Sequence, residues 1–405
     1  MTVQRKGYYS SRRLRSEAIP SLGHPQLLMP ATIIDVRAHE DVRDVVHRAV
    51  QAISEGGLVV FPTETVYGLA ARALDAEAVG RLVEAKGRRA GHALTLAIKS
   101  AAEARDYVPD LSPLADRFAR RCWPGPITLV LDNSHPESLV GQLPPGVREL
   151  VAPESTIGLR VPGHQLILDV MQMIPGPLVL TSANRSGQPA PVTAHQAMES
   201  LGDRVEMVLD DGPARFGQAS SVVRVGRKRY ELLRVGVVPE KAIRRLANLM
   251  ILFVCTGNTC RSPMAEAICR ELLAVRLGCG PAELENRGVV ITSAGVAAMS
   301  GARPTPEAVE VMAERGLDMA DHQTQPVTEP LVRFADMIFT MTESHRQAIV
   351  MQWPQAASRT QLLRSDGGEI CDPIGGAIDR YRRCIEQIDT ALRARLDEVV
   401  AAVDN

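Results

Sequence analysis

One nine-residue segment constrains this chain more than any other feature of its 405 residues. An apolar run at residues 250–254 leads directly into Cys-Thr-Gly-Asn-Thr-Cys-Arg-Ser-Pro at residues 255–263. The run predicts a buried β-strand, and the proline suits the first turn of a helix, where its missing N–H leaves no hydrogen bond unmade. A tight loop between them turns backbone N–H groups toward an anion, and the helix N-terminus adds positive potential. The segment therefore predicts a phosphate-binding loop with a cysteine at its base.

The side chains of this loop suit phosphate chemistry. The positive field favours the thiolate of Cys255, which is the nucleophilic form of the residue, and Arg261 can bind two phosphate oxygens at once. Two cysteines in one loop could instead form half of a metal site, but metal sites use closer pairs and a second matching set, which the sequence lacks. The loop between the nucleophile and the arginine is predicted to surround the phosphate with Thr256, Gly257, Asn258, Thr259 and Cys260.

Composition limits the classes of protein to which the chain can belong. A length of 405 residues allows two or three domains, and 45% apolar residues with a net charge of −1 indicate a globular protein with a sizeable core. Aromatic residues make up only 3%, which argues against a stacking platform for single-stranded nucleic acid. Seven cysteines, an odd number, predict reduced thiols and a cytoplasmic location. No apolar stretch approaches about 18 residues, so we predict no membrane span.

Residues 1–30 form a basic N-terminal extension. Its first half contains five basic residues but no apolar stretch of the kind that a secretory signal requires. Two interpretations remain open, a solvated tail and an arm that contacts RNA, and the absence of any motif favours the tail. The basic residues are Arg5, Lys6, Arg12, Arg13 and Arg15.

Helix and strand patterns divide the rest of the chain into two α/β domains. We predict a first domain at residues 31–240, a short helical linker at 241–248 and a second domain at 249–405. In the first domain, short polar side chains and basic residues recur at predicted strand ends. Each of them alone is equally compatible with an ordinary surface position, and their spacing indicates no more than a basic cleft for an anionic ligand.

The residues and the order of several motifs give a closer indication of what the first domain is. These are Phe-Pro-Thr-Glu-Thr-Val-Tyr-Gly-Leu at 61–69, Lys-x-Arg at 86–88, Trp-Pro-Gly-Pro-x-Thr at 123–128, Leu-Arg-Val-Pro at 159–162 and Ser-Ala-Asn at 182–184. Together they resemble the YrdC-like threonylcarbamoyl-AMP synthases. The resemblance implies an open, twisted α/β fold and the condensation of threonine, bicarbonate and ATP, with magnesium on the triphosphate. A partner complex in that family then transfers the carbamoyl group to tRNA.

The resemblance also implies roles for individual residues. It implies a threonine pocket formed by Thr65, Arg160, Ser182 and Ser220. It assigns the nucleotide and phosphate contacts to Lys86, Arg88, Thr156, Asn184 and Arg234.

The first domain departs from its family's pattern at one loop. Arg89 and Ala93 stand where that family usually has prolines, and proline restricts a chain, so the loop is expected to be less constrained. An alternative therefore stays open, in which this domain binds nucleotide or RNA without synthesis and the second domain is the only enzyme.

The second domain resembles the low-molecular-weight protein tyrosine phosphatases along its whole length. Besides the loop, it has Ser-Ala-Gly at 293–295 and Asp372-Pro373, where that family keeps its general acid. The resemblance implies a doubly wound parallel sheet and a phosphocysteine mechanism in which Asp372 transfers protons and Ser262 assists the thiolate. His345, in contrast, is expected on a helix surface. The substrate would be a phosphoprotein.

Two features bear on which phosphorylated side chain the second domain accepts. Ile374-Gly375-Gly376 follows Asp372-Pro373 in place of the usual aromatic residues, and Thr259 stands where tyrosine-specific members have an aliphatic residue. Both resemble the protein arginine phosphatase branch, although that branch often has an aromatic at the position of Ile374. Phosphoarginine and phosphotyrosine both stay open, with phosphoarginine favoured.

Overall fold

The computed structural model describes residues 31–87 and 93–403, and these form two α/β units, each built on its own sheet. The first sheet is mixed, with ten strands in the order β1-β8-β2-β3-β7-β4-β6-β5-β9-β10. Its strands are β1 (Thr32–Asp35), β2 (Val59–Phe61), β3 (Gly68–Arg72), β4 (Thr95–Ala97), β5 (Ile127–Asp132), β6 (Thr156–Arg160), β7 (Leu178–Ser182), β8 (Met207–Asp210), β9 (Ser221–Val225) and β10 (Tyr230–Arg234).

Eight helices accompany the first sheet within the described residues. Side chains alternate along the strands between two apolar cores, one on each face of the sheet, as Val59 and Val60 do in β2. The helices are α1 (Val42–Ser54), α2 (Ala76–Lys86), α3 (Ala104–Tyr107), α4 (Pro113–Cys122), α5 (Pro145–Val151), α6 (Gln165–Met173), α7 (Ala194–Leu201) and α8 (Glu240–Ala247).

The second sheet has four strands, all parallel, in the order β12-β11-β13-β14. The first strand of this unit, β11, therefore has a neighbour on each side, which creates a topological switch point at its carboxyl end. The strands are β11 (Leu249–Cys255), β12 (Val289–Gly295), β13 (Met337–Thr340) and β14 (Thr360–Leu362), and the helices are α9 (Arg261–Leu277), α10 (Pro306–Ala313), α11 (Glu329–Phe334), α12 (Glu343–Gln352) and α13 (Ile378–Val403).

The predicted fold class is confirmed, since the chain combines an open mixed α/β sheet with a doubly wound parallel one. The predicted boundaries at residues 31, 240 and 248 stay predictions. The helical linker that we expected corresponds to α8, which buries Ile243 against the first core. No helix in the described part of the chain is long and apolar enough to cross a membrane.

A buried carboxylate joins the two units. Asp336, just before β13, has a side chain only 10% exposed and meets three arginines of α4. Arg120 Nη2 and Arg121 Nη2 each lie 2.7 Å from a carboxylate oxygen, and Arg117 Nε lies at 3.1 Å. The backbone N–H of Met250 on β11 donates to the same carboxylate at 2.8 Å. One acidic side chain thus connects a helix of the first unit to two strands of the second.

Arg121 ties further backbone groups into this interface. Its Nη1 donates to the carbonyl oxygens of Leu246 and Asn248, each at 2.7 Å, and its Nε donates to that of Phe334 at 3.0 Å. Phe334 ends α11, whose partial negative charge at the C-terminus favours a cation there. Burial lowers the pKa of Arg121 to about 10, so the guanidinium stays charged at neutral pH.

We expect Asp336→Asn to lower the free energy of unfolding by about 3 kcal/mol or more, because it leaves two buried guanidinium groups and a part-buried one without their shared carboxylate. Urea denaturation of the full chain measures this change. Glu240→Gln is the control, since Glu240 pairs with Arg244 at an exposed position and such pairs contribute little. Equal losses for the two variants would contradict the importance of Asp336.

Candidate active sites

The cysteine loop lies at the switch point of the second sheet. Cys255 is the last residue of β11 and is 3% exposed, and the loop that follows leads into α9 at Arg261. The loop turns back at Asn258, whose φ of 57° lies in the left-handed region that asparagine tolerates better than most residues. This turn brings the Asn258 N–H within 3.2 Å of Cys255 Sγ. At least one backbone donor of the loop therefore faces the sulfur.

The side chain of Asn258 braces the loop from behind. It is fully buried, and its Nδ2 donates to Ser262 Oγ at 3.0 Å and to Ser293 Oγ at 2.9 Å. Its Oδ1 accepts the N–H of Gln325 at 2.9 Å. Both of its donor hydrogens and its acceptor are used, so the amide cannot rotate without losing bonds in a buried position.

Ser262 is positioned to serve the sulfur. Its Oγ lies 2.9 Å from Cys255 Sγ and also contacts the carbonyl oxygen of Ala294 at 3.3 Å. When Cys255 is a thiol, the serine hydroxyl can donate to Ala294. When Cys255 is a thiolate, the same hydroxyl can turn toward the sulfur and stabilise its charge.

Arg261 and Asp372 meet at the mouth of the loop. Arg261 Nη2 lies 2.5 Å from Asp372 Oδ2, with the arginine side chain 6% exposed and the aspartate 45% exposed. The structure therefore brings together all the residues that the sequence assigned to this site. Thr259 is part of the same loop, and its hydroxyl lies 3.5 Å from Cys260 Sγ.

The expected surface position of His345 is wrong. The residue is 5% exposed, and its Nε2 lies 2.8 Å from Thr256 Oγ1 in the loop. Its Nδ1 lies 2.8 Å from the hydroxyl of Thr342, which caps α12. Helix periodicity could not reveal this contact, because it arises from the pairing of β13 with β11, which sets the start of α12 against the loop. Burial and the charge of Arg261 lower the pKa of His345 to about 4.

The first unit contains a cavity of about 420 Å³ bordered by strand ends of its sheet. Its position confirms no role, but it collects most of the side chains that the sequence assigned to ligand binding. Those that line it are Thr65, Thr156, Arg160, Ser182, Ser220 and Arg234.

A buried ion pair holds Arg160, one of the side chains that line this cavity. Arg160 Nη2 lies 2.7 Å from Glu64 Oε1, and both side chains are 8% exposed. The same Nη2 donates to Thr65 Oγ1 at 2.9 Å, and Thr65 Oγ1 in turn lies 2.9 Å from Thr63 Oγ1. Glu64 Oε2 accepts the N–H of Gly163 at 2.8 Å. The guanidinium is thus held in one orientation by a carboxylate.

A second arginine, Arg234, also lines the pocket. Arg234 Nη2 donates to both the carbonyl oxygen and the hydroxyl of Ser220, at 2.8 and 3.1 Å. The Ser220 hydroxyl also lies 3.1 Å from Thr128 Oγ1. Burial and the nearby charge of Arg160 lower the pKa of Arg234.

Lys86 and Asn184 lie behind this pocket instead of lining it. Lys86 Nζ donates to the carbonyl oxygen of Ser182 at 2.6 Å and to Asn184 Oδ1 at 3.2 Å, and both residues are buried. They support the strand end that carries Ser182. Arg88 lies outside the described residues, as do Arg89 and the basic N-terminal extension.

Sequence reasoning missed Thr128, which lines the pocket, and Glu64, which holds Arg160 beside it. Glu64 and Thr128 both occur within the motifs that identified the domain, yet neither was assigned a role. The signal for Glu64 was its place between two threonines in an otherwise apolar stretch, since a buried acid requires a cationic partner. Its partner, Arg160, is nearly one hundred residues away, so only the fold shows the pair.

Two family models match the chain, one for each unit. The Sua5/YciO/YrdC model, described as telomere recombination, matches residues 51–236. The low molecular weight phosphotyrosine protein phosphatase model matches residues 250–405.

Individual relatives also divide between the units. A threonylcarbamoyl-AMP synthase of Pyrococcus abyssi is 38% identical over 196 residues, which cover 48% of this chain and 54% of the relative. This chain therefore spans about half of that protein. A Mycobacterium tuberculosis protein provisionally named threonylcarbamoyl-AMP synthase is 36% identical over 48% of this chain and 85% of its own length. A protein-arginine-phosphatase of Bacillus subtilis is 37% identical over 35% of this chain and 91% of its own length.

We expect His345 to make stability depend on pH. Its folded pKa of about 4 lies below the ordinary 6.5, so between these values the unfolded chain binds more protons and stability falls as pH falls. His345→Gln cannot titrate and should lose less stability than the parent between pH 6.5 and 4, which thermal melting at several pH values measures. Parallel curves for the two proteins would show that His345 is not held neutral.

Proposed function

Since this chain belongs both to the Sua5/YrdC threonylcarbamoyl-AMP synthase family and to the low-molecular-weight phosphatase family, we propose that it is a bifunctional enzyme. The observation that carries the phosphatase activity is the contact of Cys255 Sγ with Ser262 Oγ at 2.9 Å, inside a loop that also presents Arg261 and Asp372. These are the nucleophile, charge and proton donor that a phosphocysteine mechanism requires.

The first chemical step transfers a phosphoryl group to sulfur. Cys255 attacks phosphorus, the bond from phosphorus to the leaving atom breaks, and Asp372 donates its proton to that atom. Arg261 and the loop N–H groups stabilise the charge on the phosphoryl oxygens. The contact between Arg261 and Asp372 must loosen for this step, because Asp372 acts in its protonated form.

The second step regenerates the enzyme. Water attacks the phosphocysteine, Asp372 accepts a proton from the water, and the sulfur of Cys255 departs as a thiolate. Ser262 donates a hydrogen bond to that thiolate, while Asn258 holds the serine in place at 3.0 Å. Inorganic phosphate leaves the loop.

For the phosphatase substrate we favour phosphoarginine over phosphotyrosine. Ile374 is 60% exposed and is followed by two glycines, so this side of the loop offers no aromatic wall for a phenyl ring. Thr259 places a hydroxyl in the loop, where it can orient a guanidinium nitrogen or the attacking water. The Bacillus subtilis relative carries the name of an arginine phosphatase.

We expect kcat/KM for a phosphoarginine protein to exceed kcat/KM for a phosphotyrosine protein by roughly tenfold or more, because a site that hydrogen-bonds its substrate discriminates strongly. Thr259→Ile removes the hydroxyl, so it should bring the two kcat/KM values closer together. Phosphate release from both substrates measures these values, with Cys255→Ser as the inactive control. A clear preference for phosphotyrosine would refute the assignment.

We further propose that the first unit makes threonylcarbamoyl-AMP from threonine, bicarbonate and ATP and releases pyrophosphate. The supporting observation is a cavity with two fixed arginines, Arg160 and Arg234, and the hydroxyls of Thr65, Ser182 and Ser220. Cationic and hydroxyl groups that line one cavity suit a ligand with a carboxylate and phosphate groups.

No side chain in this pocket needs to act as a nucleophile. Orientation of the substrates and neutralisation of phosphate charge can supply the rate enhancement. Magnesium would enter on the triphosphate, since magnesium commonly keeps phosphate and water ligands. Lys86, Asn184 and Arg88 would complete the nucleotide contacts. The product would pass to a complex that modifies tRNA.

For the synthase, we expect the full chain to release pyrophosphate from ATP in bicarbonate buffer only when threonine is present. Thr65→Val removes a hydroxyl that contacts Arg160 and should raise KM for threonine by roughly tenfold. Thr32→Val, at an exposed position on β1, is the matched control. Absence of pyrophosphate from a folded, phosphatase-active chain would instead favour a binding module.

A further inference from the structure

A chain of hydrogen bonds connects α12 to the phosphatase loop. It starts at Thr342 Oγ1, passes through both ring nitrogens of His345 at 2.8 Å each, and reaches Thr256 Oγ1. Arg261 Nη2 lies 3.5 Å from the same Thr256 oxygen and 2.5 Å from Asp372 Oδ2. We propose that His345 is a positioning residue of the phosphatase reaction and acts through the hydroxyl of Thr256. This inference rests on the proposed phosphatase function.

The helix cap sets the direction of these hydrogen bonds. Thr342 Oγ1 caps α12 and accepts the backbone N–H of His345, and its own hydrogen can go to Ser344 Oγ at 2.8 Å. His345 Nδ1 then donates to Thr342, which leaves Nε2 as an acceptor for the hydroxyl of Thr256. The lone pairs of Thr256 are thereby free to accept from Arg261.

The charges around His345 keep its ring in this state. Arg261 of α9 faces it with a positive charge, while Asp372 and Glu369 face it with negative charges from the loop between β14 and α13. Burial and Arg261 outweigh the two carboxylates, so the imidazole is neutral at neutral pH. A proton on Nε2 would reverse the bond to Thr256 and set a second cation beside Arg261.

The consequence concerns the moment when substrate binds. In the free protein, Arg261 Nη2 is held by Asp372, which must take a proton and turn toward the leaving group before it can act. The guanidinium then loses its carboxylate partner. The hydroxyl oxygen of Thr256, which His345 holds in place, can then accept a hydrogen bond from Arg261. This contact keeps the guanidinium directed at the phosphate.

The test is a double-mutant cycle on the full chain with p-nitrophenyl phosphate as substrate. We expect His345→Ala and Thr256→Val each to lower kcat about tenfold with KM changed less than twofold, because the loop N–H groups still bind phosphate. The double variant should lose no more than either single variant, since both remove one and the same chain of contacts.

Conservative variants separate this role from simple support of the fold. His345→Gln keeps a neutral acceptor and should recover most of the kcat that His345→Ala loses. Thr256→Ser keeps the hydroxyl and should recover most of the kcat that Thr256→Val loses. If His345→Ala does not fold, His345→Leu replaces it in the double-mutant cycle. Thr256→Val changes an exposed residue of the loop and remains the second single variant of that cycle.

Three results would overturn the proposal. Independent effects that multiply to about a hundredfold loss would show that His345 does not act through Thr256. Single variants with parent kinetics would show that neither positions the reaction. Absence of turnover by the parent chain would refute the phosphatase function itself, and this inference with it.

Discussion

The structure depends on one buried carboxylate. Asp336 forms ion pairs with three arginines of α4. It also accepts the N–H of Met250, at the start of the strand that ends in Cys255. The chain that leaves the C-terminal end of α4 leads to Gly125, whose carbonyl oxygen accepts from Arg160 Nε at 3.2 Å. The elements that carry the two candidate sites are therefore anchored to a common point, and a charge left unpaired there would destabilise both.

Both sites use the same physical means to hold a reactive group still. Each sets polar side chains at strand ends and satisfies them with buried partners, so that their orientation is decided before a ligand arrives. Arg160 is held by Glu64 in the first unit, and Ser262 is held by Asn258 in the second. The difference lies in charge, since the first site brings two arginines to one cavity and the second holds a cysteine and a single arginine in one loop.

The sequence predicted a large part of this arrangement. Local patterns gave the strand before Cys255 and the helix after it, because alternating and apolar runs follow directly from burial. The family motifs gave six side chains that share one cavity and the residues of the loop after Cys255, whose roles in binding and catalysis stay predictions. The failures were His345 and Glu64, both of which have partners far away in the chain. The ligand contacts assigned to Lys86 and Asn184 stay predictions, since neither side chain lines the cavity in the described part of the chain.

By itself, the sequence determined the two α/β units, the loop that follows Cys255 and the hydroxyl and basic side chains of the first pocket. These features depend on neighbouring residues and on the spacing of apolar positions, both of which are local properties of the sequence. Only the tertiary structure decided that His345 is buried against Thr256, that Glu64 pairs with Arg160 and that Asp336 joins the units. Each of these contacts joins residues about ninety or more positions apart, and strand order, which local periodicity does not encode, brings them together.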